Sequence, residues 1–257
     1  DPANAAKSFR IAIQSDKDWA PAHAGLARAL ADEDPPAAAA SASRAIEIAP
    51  NLIDAHLFLA ESALDRENTA EAKAAIGRVI AINPRSPEAH SLAAAMAYVA
   101  GRTADYDAAV AQALSVNPIR GDTYRAVAAR AAGNYRFDEA VALAQKAIAL
   151  EPDNVRAHAD LGMHLLRAGD EREARRVLEI AFRADSYDLV THNLLTMLDN
   201  LYEFESVKTG NAIVRLHPDE APVLRLYAVP LIEQAMAEMR ARYQIDPKGP
   251  IVVEVFP

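Results

Sequence analysis

Prolines stand at 50, 84, 118 and 152, each 34 residues after the one before. Histidines at 56, 90, 158 and 192 keep the same lattice, and Tyr124 fills the slot between 90 and 158. Each of these follows a proline by six residues, except His192, which follows Ser186 in the proline slot. Self-similarity at such a period means a stack of one supersecondary unit, because each unit buries only part of its apolar stripe alone. The unit is legible in Asp122 to Pro152, DTYRAVAARAAGNYRFDEAVALAQKAIALEP. A first helix over about Thr123 to Ala132 meets the breaker pair Gly133-Asn134. A second, over about Phe137 to Leu150, opens on Asp138 and Glu139 and is stopped by Pro152.

Across the period a bulky residue recurs at position 4, an apolar one at 7, small ones at 8, 20 and 27, and proline at 32. This pattern resembles the tetratricopeptide repeat, which implies an all-α, right-handed superhelix (an α-solenoid) of about five helix-turn-helix repeats. Residues 1–18 read as a half repeat with Ala5, Phe9 and Ala12 on its packing face. Repeats follow at about 20–52, 53–86, 87–120, 121–154 and 155–188, with a last helix at 189–201. The turn of the first repeat, Asp32 to Pro36, is one residue short. In the third, Tyr106 occupies the small position 20, which predicts a longer turn over Gly101 to Asp105 and a shorter second helix. Alanine or glycine at positions 8 and 20 lets two helix backbones approach closely.

After about Leu201 the repeat stops. Tyr202 to Lys208 and Ala212 to Leu216, joined by Thr209-Gly210-Asn211, read as a hairpin. A helix starts at His217-Pro218-Asp219-Glu220, with Leu224, Tyr227, Leu231, Ala235, Met239 and Tyr243 at helical spacing. Pro222 suits its first turn, and Pro230 is expected to kink or split it. Asp246 to Pro250 reads as a turn and Ile251 to Phe256 as a strand without partner strands, so 202–257 is expected to be an incomplete α+β segment opening a second domain. This tail is similar to the start of the gluzincin-type, peptidase-MA-like metallopeptidase domain that follows such repeats in some bacterial proteins. The resemblance implies a zinc protease whose His-Glu-x-x-His motif lies beyond residue 257; none of its catalytic residues falls in the chain.

Composition narrows the function. The net charge of −9 leaves no global basic footprint for nucleic acid. Without cysteine there is no disulfide, thiolate metal site or cysteine nucleophile, and the compartment stays open between cytoplasm and periplasm. No apolar run of 18 residues predicts a membrane span. Four of the seven histidines sit on the repeat lattice and His23 one residue off it, where helix packing accounts for them, and no His-Glu-x-x-His occurs, so no metal or catalytic residue is assigned. Phosphate-cradling glycine motifs are missing too, and no cofactor is expected.

The resemblance implies a concave face lined by positions 2, 5, 9 and 12 of each first helix. The candidate partner-binding residues there are Arg28, Leu57, Glu61, Ser91, Ala95, Tyr98, Arg125, Ala129, Met163, Asn193 and Met197. A mixed, Met-bearing groove of this kind suits an extended peptide or a partner helix. The lysine and asparagine positions of the carboxylate clamp that grips chaperone C-terminal tails are not matched, so that partner is disfavoured. The expectation is a non-catalytic scaffold for protein or peptide partners, with the repeat-bearing zinc protease as the alternative.

Overall fold

The computed structural model describes residues 2–244 and 249–256. The chain divides into two compact units, one ending at Ala184 and the other beginning at Asp185. In the first, α1 (Pro2–Ser15) precedes five helix pairs: α2 (Ala20–Ala29) with α3 (Pro35–Ile48), α4 (Ile53–Asp65) with α5 (Thr69–Ile82), α6 (Pro87–Val99) with α7 (Thr103–Val116), α8 (Asp122–Gly133) with α9 (Phe137–Leu150), and α10 (Val155–Ala168) with α11 (Glu171–Ala184). Several starts are capped from the sequence. Asp34, Asn68, Ser86 and Asn154 each accept from a backbone N–H three residues on, and prolines sit in the first turns of α2, α3 and α6.

The small positions perform as the periodicity predicts. Ala27, Ala60, Ala94 and Ala128, at position 8 of four repeats, are fully buried, as are Ala72, Ala140 and Ala174 at position 20. Gly162 takes position 8 in the fifth repeat, where a Cβ would lie 2.4 Å from Leu178 Cγ. Tyr106 does not lengthen its turn: α7 starts at Thr103 and has 14 residues, like α5, α9 and α11. Its ring is only half-buried and packs against Tyr98 at 5.2 Å, so the two helices need not part to admit it. The packing face of α1 also differs from expectation. Ala6 is its buried residue, with Phe9 and Ile13 beside it, and Ala5 and Ala12 are half-buried flanks.

The turn between paired helices uses one left-handed residue, at Glu67 (φ 57°), Gly101 (69°), Tyr135 (59°) and Gly169 (88°), each 34 residues from the last. Gly133, expected to break its helix, is still helical; Tyr135 makes the turn. The first repeat lacks this position. There the missing residue comes out of the helix, so α2 has 10 residues and residues 30–34 form a longer connection with no positive φ.

The lattice histidines tie successive repeats together. His56 Nε2 lies 2.9 Å from the Pro50 carbonyl, His90 Nε2 2.8 Å from that of Pro84, and His158 Nε2 2.9 Å from that of Pro152. His23, one residue off the lattice, makes the same bond to Lys17 at 2.9 Å. A carbonyl only accepts, so Nε2 carries the proton in all four, and each satisfies a carbonyl left over beyond the end of the preceding helix.

The second unit holds α12 (Leu189–Tyr202), β1 (Glu205–Thr209), β2 (Ala212–Leu216), α13 (Ala221–Tyr243) and β3 (Ile251–Val255). β1 and β2 form the expected antiparallel hairpin around Gly210, which has φ +51°. The strand expected from Tyr202 begins only at Glu205, because α12 runs through Tyr202. β3 has a partner after all: it pairs with β2 in parallel, so β2, α13 and β3 make a β-α-β unit with strand order β1-β2-β3. Pro230 does not split α13, which runs unbroken for 23 residues. Pro230 and Leu226 both face outward, so the carbonyl that loses its helical donor is open to water. Leu224, Ala228, Val229 and Ile232 pack on Val214, Leu216 and Ala221, whereas Tyr227, Leu231, Met239 and Tyr243 are exposed. Of the turn read at Asp246 to Pro250, residues 246–248 lie outside the described residues.

Candidate functional site

The first helices α2, α4, α6, α8 and α10 lie in sequence-order contact and present one face of the first unit. Two cavities open on it. The first, of about 470 Å³, lies between α2 and α4 and is lined by Arg28, Asp32, Phe58, Glu61, Asp65 and Arg66 among others. The second, of about 300 Å³, reaches from α4 across α6 to α8, with Leu64, Ala95, Met96 and Val99 as its apolar wall and Arg130 and Asn134 at its margin. Asp65 lines the first and Arg130 the second, and their 2.6 Å ion pair joins the two. A third hollow of about 190 Å³ is bordered by Tyr98, Thr103, Tyr106 and Arg136.

The charges in these cavities are largely matched inside the protein. Arg28 pairs with Glu61 at 3.2 Å across two repeats, and Arg66 pairs with Glu71 at 3.1 Å. At such exposed positions each pair contributes only about 0–1 kcal/mol, so a ligand group displaces a partner at small expense. Tyr98 is held more firmly. Its hydroxyl donates to Glu139, which also accepts two bonds from Arg136 at 2.8 and 2.6 Å, and the guanidinium lies 4.8 Å above the Tyr98 ring. The Arg136 bonds hold the Glu139 carboxyl below its ordinary range, and burial pushes the Tyr106 hydroxyl up to about 12.

Of the residues expected on this face, Arg28 and Glu61 meet in the first cavity, Ala95 walls the second and Tyr98 borders the third. Ala129 is exposed and Met163 half-buried. Leu57 and Ser91 lie in the interior instead. Leu57 packs with Ala60, Ile76 and Val79, and Ser91 Oγ is bonded to the Pro87 carbonyl at 2.7 Å and to Thr123 Oγ1 at 3.2 Å. Arg125 is half-buried, gripped by Asp122 at 2.9 Å and Asp160 at 3.1 Å. Burial raises the Asp122 carboxyl, but the bonds and charge of Arg125, with Asn154 and Arg120, bring it below its ordinary value. These three residues share position 5, which packs toward the next first helix. Asn193 and Met197 belong to α12 of the second unit, exposed and half-buried.

The lining residues not expected from sequence include Phe58, Asp65, Met96, Val99 and Arg130, at positions 6, 10 and 13. Their signal was available as the helix stripe one step round from position 9. Among the described residues no group of three or more His, Asp or Glu is placed to hold a metal, and no helix is long and apolar enough to cross a membrane.

A family model described as tetratricopeptide repeat matches residues 29–96 and 129–194, more than half of the chain. A tetratricopeptide repeat protein from Parabacteroides merdae is similar in structure, with a TM-score of 0.58 at 14% identity, over 77% of this chain and 78% of that one. One from Thermus thermophilus gives 0.51 at 20% identity, over 77% of this chain and 98% of the other. At these identities the likeness carries the fold alone. No curated protein matches the chain. The resemblance of the tail to a metallopeptidase domain gains no support, since the family match stops at residue 194.

Proposed function

The chain belongs to the tetratricopeptide repeat family, and on that premise we propose that it is a non-catalytic scaffold binding an extended segment of a protein partner along its concave first-helix face. The observation that carries the reading is the pair of adjoining cavities with an apolar wall at Leu64, Ala95, Met96 and Val99, edged by the Asp65–Arg130 and Arg28–Glu61 pairs. A peptide laid across them seats an apolar side chain against Met96 and Val99 and exchanges polar contacts with the flanking pairs. Of the residues expected from sequence, Arg28, Glu61, Ala95 and Tyr98 are the proposed contacts, with Ala129 and Met163 further along.

The test is a peptide array probed with the chain, followed by affinity measurement on the best binders. Met96→Glu, at a half-buried wall position, is expected to weaken those binders at least tenfold, and Arg28→Glu to weaken a subset. Binders indifferent to Met96→Glu, with the variant's unfolding curve unchanged, would overturn the groove as the site.

A further inference from the structure

The two adjoining cavities lie at the C-terminal ends of the first helices. α2 ends at Ala29 and is followed by Asp32, α4 ends at Asp65, α6 at Val99 and α8 at Gly133 beside Asn134, and these ends supply the lining. A helix C-terminus carries about half a negative charge on its last carbonyls. Several such ends meeting along one groove favour a cation there over an anion.

The side chains have the same sign. Four carboxylates line the cavities, Asp32, Glu61, Asp65 and Glu67, against three arginines. All three arginines are engaged: Arg28 with Glu61, Arg130 with Asp65, and Arg66 with Glu71, which lies outside the lining. Asp32 and Glu67 are left over. Both are exposed, and neither side chain has an ion pair or hydrogen bond among the described residues. They stand in successive turns between paired helices, Asp32 in the connection after α2 and Glu67 in the left-handed turn after α4.

With the first-helix groove as the binding face, on which this inference rests, we propose that its occupant is a basic segment of a partner polypeptide. Lysine or arginine lies at the levels of Asp32 and Glu67, and an apolar residue lies against Met96 and Val99. Neighbouring helices pack about 8–10 Å apart, which an extended chain covers in about three residues. A polyproline II segment turns once in that interval and so keeps all three side chains on the groove side. The seats follow the order α2, α4, α6, so the segment reads cation, cation, apolar residue, in one chain direction or the other. An acidic segment fits less well, because it must first part Arg28 from Glu61 or Arg130 from Asp65 and then lie beside the carboxylate it has freed.

The probes are fluorescein-labelled peptides SKAAKAALS and its reversal SLAAKAAKS, titrated with the whole chain and read by anisotropy. Each has a glutamine version and a glutamate version in which both lysines are replaced. The lysine version of the fitting direction is expected to bind about fivefold tighter than its glutamine version, as two exposed ion pairs allow, and the glutamate version weakest. That gap should narrow as sodium chloride rises from about 0.05 to 0.5 M. Asp32→Asn with Glu67→Gln, exposed changes that break no bond, should bring the lysine and glutamine versions level. A lysine preference that survives this double variant overturns the proposal. So does one reduced as much by Asp153→Asn with Glu179→Gln, which lie away from both cavities, for the attraction then belongs to the net charge of −9. If the lysine and glutamine versions bind the wild type alike and Met96→Glu weakens the glutamine version, the groove stands and the basic occupant is refuted. If Met96→Glu leaves the glutamine version unchanged, or no version raises the anisotropy up to about 1 mM, the groove falls with it.

Discussion

Gly162→Ala and Gly77→Ala are the same substitution in two helix interiors, and the structure gives them opposite signs. In both, alanine gains about 1 kcal/mol of helix propensity over glycine. At Gly77, on the exposed side of α5, an added Cβ meets nothing within 4 Å, so nearly the whole gain is kept. At Gly162 the Cβ would stand 2.4 Å from Leu178 Cγ and 2.5 Å from Cδ2, distances real Cβ atoms do not show. Leu178 is fully buried and cannot swing into solvent, so α10 and α11 must separate or the leucine must leave its rotamer. Overpacking of this kind costs about 1–3 kcal/mol, which outweighs the propensity and leaves a net loss of about 1 kcal/mol. Urea unfolding followed by far-ultraviolet circular dichroism is the assay. Repeat arrays can unfold in parts, so the slopes must be compared before the midpoints are converted to free energies. In a double-mutant cycle with Leu178→Ala the overpacking at Gly162 should largely disappear and leave the propensity gain, a coupling of about 2 kcal/mol. Stabilisation by both substitutions, or no coupling to Leu178, would refute the close-approach account of position 8.

Glu67→Gly should stabilise by about 0.5–1 kcal/mol in the same assay, because its φ of 57° suits glycine. Gly169→Ala, at φ 88° in the equivalent turn, should lose a similar amount. Arg125→Ala should destabilise by about 1–2 kcal/mol, since it strands Asp122 and Asp160 in partly buried surroundings, and leave peptide binding in the groove unchanged. His164 is 5% exposed, and burial holds its imidazole below the ordinary value of 6.5. The unfolded chain therefore takes up this proton first as pH falls. The contribution is fully present above about 6.5 and is lost progressively below it, down to the depressed folded value. Comparing urea midpoints at pH 7.5 and 5.5 should show a drop in the wild type that is smaller in His164→Leu.

The helical array was legible because its period writes the same constraint many times over. Position 8 accepts only alanine or glycine when a buried side chain such as Leu178 lies across from it, and position 4 donates to the same carbonyl in repeat after repeat. What the period concealed is variation that leaves backbone spacing alone. Tyr106 violates the small-residue rule and yet changes no helix length, because its half-buried ring is taken up beside Tyr98 of the paired helix. The left-handed turn residue escaped notice because two of its four occupants are Glu67 and Tyr135, neither of which announces a positive φ. In the second unit each element is seen once, so the parallel pairing of β3 with β2, which joins residues 39 apart (Ala212 with Ile251), had no repetition to reveal it.

The candidate site was legible as a face and not as a set of side chains, for a reason that bears on what it can bind. Positions 5 and 9 lie about one turn apart on a helix, yet position 5 turns toward the neighbouring first helix: Leu57 enters the core, Ser91 bonds Thr123 and Arg125 bonds Asp160. Position 9 and its neighbours at 10 and 13 carry the cavities. Charge at position 5 therefore holds repeats to one another. Helical charge at positions 9, 10 and 13 of the cavities is also paired, but through exposed bridges such as Arg28–Glu61, which a ligand can replace at little expense. Apart from the turn carboxylates Asp32 and Glu67, the groove's ions are already matched and gain little from ligand charge alone. On the proposed reading, discrimination otherwise comes from the apolar wall at Leu64, Met96 and Val99, and from how well an extended segment fills the adjoining cavities.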